Sequence, residues 1–288
     1  MGHTYTGNVM DKIIQSYQSD GDLFIHESNL IFSDIDCNFK ELKLIREILF
    51  PNYWNCGQIE KDENKLKNKL NDLGRLFLIG ILPHIRDENK ARITVTKIID
   101  RFADVREMLK KDAEAAYKGD PAAKDYTEII RSYPGFCAIL VQRVAHMFYE
   151  LGEPTYAREL MERIHSLTGI DIHPGAKIGE HFFMDHGTGI VVGETTVIGN
   201  WVRMYQGVTL GALHFMKDSE GQMLKKGYKR HPTIGDNVVV GVGAKILGPV
   251  KIGNNVSVGA NSWIEEDVPD NTTVFISEHP KLMKKSKK

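Results

Sequence analysis

Between Ile234 and Ile264 an aliphatic residue returns at every sixth position: Ile234, Val240, Ile246, Ile252, Val258 and Ile264. Glycine follows the anchor at Gly235, Gly241, Gly253 and Gly259, and a small or β-branched residue comes four places after it at Val238, Ala244, Val250, Val256 and Ser262. The same frame runs earlier through Ile172, Ile178 and Met184, then through Val192, Ile198, Met204 and Leu210. A helix turns about every 3.6 residues and would smear this stripe, whereas one continuous strand would alternate with period two. Short strands joined by turns put every anchor on a common axis, stacked on the anchor one coil away. The segment is therefore expected to be a parallel β-solenoid with three short faces per coil. Of the 26 glycines, 16 lie between Gly175 and Gly259, where they are expected to supply positive-φ turns.

From Phe39 to Gly169 the spacing is helical instead. Leu42, Ile45 and Leu49 share a face that ends at Pro51, and Leu66, Leu70, Leu73 and Phe77 share another that closes at Pro83. Lys90–Lys118 lacks Pro and Gly, with Ile93, Ile98, Phe102, Val105 and Leu109 as its expected buried stripe. Asp120-Pro121 reads as an N-cap and first-turn proline that start a new helix. Pro134-Gly135 ends that helix; Phe136–Glu150 and Thr155–Leu167 follow, and Gly169 stops the last. The fold class is thus α + β: an all-helical domain over 1–169, suited to packing or oligomerisation, then a β-helix over 170–270 with a loop at 211–233. A basic tail, 271–288, completes the chain.

Composition narrows the function. With 37 Lys+Arg against 38 Asp+Glu, no basic excess favours nucleic acid. No apolar run reaches the ~18 residues of a membrane span, and Met1-Gly2-His3-Thr4 does not open a secretory signal. Cys37, Cys56 and Cys137 fit neither a disulfide framework nor a metal knuckle, so a cytoplasmic setting is expected.

Breaks in the period mark chemistry better than the period does. One is an eight-residue step from Met184 to Val192, which contains Asp185-His186-Gly187-Thr188-Gly189. The other, from Gly211 to Thr233, ends in Arg230-His231-Pro232. His186 is a candidate general base, or a surface histidine in a turn. Asp171 lies near one coil of ~18 residues upstream, where its carboxylate would orient the imidazole, or else cap a turn. Arg230 and His231 suit a carboxylate, or belong to a solvated basic loop with Lys225, Lys226 and Lys229. His173, His181, His186, His214 and His231 are the candidates for a three-histidine zinc site, but their spacing shows no convergence, and no metal is expected.

Several runs together resemble the serine O-acetyltransferases, a hexapeptide-repeat acyltransferase family. They are Asp171-Ile-His-Pro-Gly-Ala-Lys-Ile-Gly, Asp185-His-Gly-Thr-Gly-Ile-Val-Val-Gly-Glu-Thr, Tyr205-Gln-Gly-Val-Thr-Leu-Gly-Ala and Lys229-Arg-His-Pro-Thr-Ile-Gly. Tyr117-Lys-Gly-Asp-Pro-Ala-Ala resembles the family's helical half, and the likeness covers about residues 90 to 265. The resemblance implies a left-handed β-helix and acetyl transfer from acetyl-CoA to the L-serine hydroxyl, a step in cysteine biosynthesis. It makes His186 the base and Asp171 its partner. Asp120 and Asp185 would meet the serine ammonium, Arg230 and His231 its carboxylate side, and Glu194 would stand nearby. A backbone N–H at Gly211-Ala212 would meet the oxyanion, and Gly211, Ala212, Val242, Ala244, Ser257 and Ala260 would contact the cofactor. L-Cysteine is the implied feedback inhibitor. A homotrimer with sites between subunits is the implied assembly, and stacked helical domains would make it a dimer of trimers. The family's tail often ends in isoleucine and docks into O-acetylserine sulfhydrylase; this chain ends Lys284-Lys-Ser-Lys-Lys288, so that complex is not expected. The alternatives are an acetyl-CoA-dependent transferase for a sugar or another small hydroxyl or amine acceptor, and a non-catalytic solenoid scaffold. Two carboxylates paired with an arginine suit a zwitterion better than a sugar.

Overall fold

The computed structural model describes residues 39–54, 63–215 and 226–277. Cys37, Cys56, Lys225, the chain start and the lysine-rich end lie outside the described residues. The chain divides into two units, Met1–Ser33 and Asp34–Lys288, and all described residues belong to the second. No helix among them is long and apolar enough to cross a membrane.

Among the described residues seven α-helices precede the strands: α1 (Lys40–Leu49), α2 (Glu63–Ile85), α3 (Glu88–Asp100), α4 (Phe102–Gly119), α5 (Tyr126–Ser132), α6 (Pro134–Glu150) and α7 (Pro154–Thr168). Leu42, Ile45 and Leu49 are buried as their spacing requires. Phe77, Phe148 and Tyr156 meet edge to face and lock α2, α6 and α7 together, with centroids 5.0 Å and 4.9 Å apart for the two closest pairs.

Four local expectations change. The uninterrupted stretch from Lys90 divides at Arg101, and Ile93 is 56% exposed while Ala91, Val95 and Ile98 face inward. Pro83 lies inside α2, which runs two residues further to Ile85. Pro134 opens α6 at its first turn, where a missing N–H costs nothing. No helix begins at Pro121. Asp120 ends α4, its Oδ1 accepts from the Ala122 N–H at 2.8 Å, and α5 is capped by Asp125 instead. The short Asp120–Ala122 turn satisfies the carboxylate locally without starting a helix.

Fourteen short strands then wind a left-handed parallel β-helix of hexapeptide repeats. Face A stacks β1 (Asp171–Ile172), β4 (Val191–Val192), β7 (Thr209–Gly211), β10 (Lys245–Leu247) and β13 (Trp263–Ile264). Face B stacks β2 (Lys177–Ile178), β5 (Val197–Ile198), β8 (Thr233–Ile234) and β11 (Lys251–Ile252). Face C stacks β3 (Phe183–Asp185), β6 (Arg203–Tyr205), β9 (Val239–Val240), β12 (Ser257–Val258) and β14 (Thr273–Val274), so the solenoid runs past residue 270. The register aligns the anchors: Ile172 on Val192, Val192 on Leu210, Leu210 on Ile246, Ile246 on Ile264. All are buried but Ile178, which is partly covered by the helices.

The glycines after the anchors serve a different purpose from the one expected. A Cβ on Gly199 would lie 2.8 Å from the Gly235 carbonyl, and one on Gly235 2.8 Å from that of Gly253. Close stacking of coils excludes a side chain there. The left-handed turn residue falls two places later, on Asn237, Asn255 and Asn261.

A buried ion pair seats the helices on the first coil. Asp112 of α4 accepts from Arg143 of α6 at 2.7 and 2.8 Å and from the Phe182 N–H at 2.9 Å. Arg143 also donates to the Ile178 and Gly179 carbonyls. Both side chains are nearly inaccessible, so the pair fixes where α4 and α6 end against the solenoid.

Candidate active site

The expected site residues occupy two edges of the three-sided prism. At the C/A edge, β3 ends in Asp185, and the chain turns through His186 with φ 59°. His186 stands 70% exposed, with Nε2 3.7 Å from Asp185 Oδ1. A Cβ on Gly135 would lie 2.2 Å from the Met184 carbonyl, so only glycine lets the start of α6 lie flush on β3. That contact brings Tyr133 to Asp120: its hydroxyl donates to Oδ2 at 2.5 Å. The Tyr133 hydrogen bond holds the Asp120 carboxyl below the ordinary Asp value, and the charges of His186 and Arg203 act in the same direction. One edge therefore carries an accessible imidazole and two carboxylates.

The A/B edge carries the cation. Arg230 Nη2 donates to Glu194 Oε2 at 2.6 Å, and Tyr149 of α6 donates to Glu194 Oε1 at 2.8 Å. Burial would raise the Glu194 carboxyl, but these two hydrogen bonds outweigh it and hold it below the usual Glu value. His231 is buried, and a Cβ on Gly193 would lie 2.1 Å from its ring. Burial, with Arg230 adding, pushes its pKa down to about 4. Its Nδ1 accepts from the Thr195 N–H at 3.1 Å, so the neutral ring carries its proton on Nε2. Lys229 is spent on the Thr195 and Pro232 carbonyls.

Some expected pairings fail within one chain. Asp171 meets Arg158 at 3.2 Å, not His186, and its charge acts on His173 at the A/B edge together with those of Glu194 and Arg230. Glu194 braces Arg230. Among the described residues no hydrogen bond or ion pair joins the two edges. Gly211 and Ala212 lie one coil above Gly193, at the A/B edge. Val242 and Ala260 are exposed at the C/A edge above His186, and Ser257 faces outward on β12. Ala244 is fully buried, so its side chain cannot touch a cofactor. Glu162, His165 and Asp171 bring ligand atoms within 4.8 Å of one another, but the Arg158 guanidinium bridges Glu162 and Asp171 and supplies the positive charge there.

Tyr133 and Tyr149 had no signal in the sequence, because each meets its carboxylate only after α6 docks.

The chain is 41% identical over 251 residues to the plasmid serine acetyltransferase of Synechococcus elongatus, covering 81% of this chain and 78% of that one. It belongs to the serine acetyltransferase family. As a serine acetyltransferase it is an acyltransferase, and residues 231–266 match the family described as bacterial transferase hexapeptide (six repeats). Serine acetyltransferase isoform 3 of Entamoeba histolytica, solved in complex with cysteine, superposes with a TM-score of 0.78 at 47% identity, over 96% of this chain and 93% of that chain. The Neisseria gonorrhoeae serine acetyltransferase, solved in complex with serine, gives 0.57 at 29% identity, over 88% of this chain and 100% of that chain.

Proposed function

We propose that this serine acetyltransferase moves an acetyl group from acetyl-CoA to the hydroxyl of L-serine, in a site completed between two subunits of a homotrimer. The observation that carries the proposal is the division of complementary groups between two edges. The C/A edge offers a base and two carboxylates for an ammonium; the A/B edge offers a guanidinium and a neutral imidazole N–H for a carboxylate. A zwitterion needs both sets. A second copy laying its A/B edge against the C/A edge supplies them, and brings Asp171 of one chain toward His186 of the other.

In that site His186 Nε2 takes the proton from the serine hydroxyl as its oxygen attacks the thioester carbonyl. The oxyanion takes a hydrogen bond from the Ala212 N–H. Collapse breaks the C–S bond, and the leaving CoA sulfur takes the proton from His186, which restores the neutral base. The pantetheine arm follows the C/A edge past Val242 and Ala260, where Gly189, Gly207 and Gly243 stack with no side chains. L-Cysteine shares the ammonium and carboxylate of serine and occupies the same contacts as an inhibitor.

Release of CoA with L-serine, sugar and amine acceptors tests the substrate, and added L-cysteine tests inhibition. Turnover with another acceptor and none with serine would overturn the assignment. Mixing inactive His186→Ala and Arg230→Ala chains tests the shared site: activity should return after subunit exchange. No recovery in verified mixed trimers would place the site within one chain.

A further inference from the structure

We infer that Tyr149, on the last turn of α6, is a positioning residue that keeps the Arg230 guanidinium open for the substrate carboxylate. This rests on the serine reading of the site. An arginine beside a glutamate tends to pair through two parallel hydrogen bonds, which would use the guanidinium fork on the protein itself. Here Glu194 gives Arg230 only one of its oxygens. The Tyr149 hydroxyl occupies Oε1 at 2.8 Å, and Arg230 reaches only Oε2, through a single nitrogen at 2.6 Å. Among the described residues the other guanidinium N–H groups of Arg230 have no hydrogen-bond acceptor, and its backbone is tied separately to Thr195 Oγ1 at 3.0 Å. Tyr149 thus turns a closed pair into a half-open one.

The tyrosine is itself held in place. A Cβ on Gly175 would lie 2.9 Å from Tyr149 Cζ and 3.1 Å from Glu194 Cγ, so the glycine seats ring and carboxylate side by side. The His173 ring meets Tyr149 edge to face at 5.7 Å. Burial, and then the bond to Glu194, raises the Tyr149 phenol, which stays a donor throughout the neutral range.

Tyr149→Phe keeps the ring and its packing and removes only the hydroxyl. The variant should raise the KM for L-serine about tenfold and leave the KM for acetyl-CoA and kcat near wild type. L-Serinamide, which lacks the carboxylate, should be turned over by variant and wild type alike. Glu194→Gln should also lose preference for serine over serinamide, and adding Tyr149→Phe to it should do little more. A serine KM within about twofold of wild type, or an equal loss on serinamide, would overturn the role of Tyr149. Wild-type protein that does not acetylate serine would instead overturn the substrate assignment.

Discussion

Tyr133 donates its hydroxyl to Asp120 Oδ2 at 2.5 Å, tying the residue before α6 to the end of α4 directly above the His186 turn. Asp120 gains two donors from this arrangement, Tyr133 and the Ala122 N–H, and both favour its ionised form. The carboxylate is thereby fixed in place and held in its ionised form.

Tyr133→Phe should therefore let the Asp120 pKa rise toward the ordinary Asp value. The acid limb of the kcat/KM profile for serine should move to higher pH, with a KM increase of about three- to tenfold at neutral pH. A pH–rate profile that superposes on wild type would count against this coupling.

His186→Ala should lower kcat by at least ~100-fold, the range expected for loss of a general base. Its side chain is largely exposed, so circular dichroism and the melting temperature should stay near wild type. Near-normal turnover would remove His186 from the base role.

His231 links stability to pH. Its pKa is about 4 in the folded chain against an ordinary value of 6.5, so between these values the unfolded chain binds more protons. The stability associated with a neutral ring is present above about pH 6.5 and is lost as pH falls toward 4. With solvent screening at the open edge, the loss should be about 1–2 kcal/mol. Thermal melts from pH 7 to pH 4 should show a smaller decline for His231→Asn than for wild type.

The Asp112–Arg143 pair gives a stability test. Asp112→Ala leaves Arg143 buried and uncompensated and should cost about 3–5 kcal/mol. Replacing both with apolar residues of similar size should recover most of that loss. Chemical denaturation of the single and double variants measures the difference.

Much of the fold was legible because its signal is local and repeated. Each coil restates the same demand, an apolar anchor most often followed by glycine, so the anchors from Ile172 to Ile264 could be read without any knowledge of partners. The eight-residue step located His186 for the same reason: a periodic fold shows where it is interrupted. The glycine excess was visible too, and it has two causes: positive-φ turns, as at Gly187, Gly189, Gly207 and Gly243, and close coil stacking at Gly199 and Gly235.

Which charges meet was decided only in three dimensions. Asp171 faces Arg158, a contact that spacing near one coil did not indicate. Tyr133 reaches Asp120 across 13 residues and Tyr149 reaches Glu194 across 45, both because Gly135 and the Asp112–Arg143 pair dock α6 on the first coil. Ala244, small enough for a cofactor groove, points inward because the register turns it there. Sequence alone determined the solenoid, its period and the place of His186 at its interruption, since a repeat constrains itself one coil at a time. Tertiary structure decided the electrostatics, because hydrogen bonds between a helix and a coil depend on a docking geometry that has no period to read.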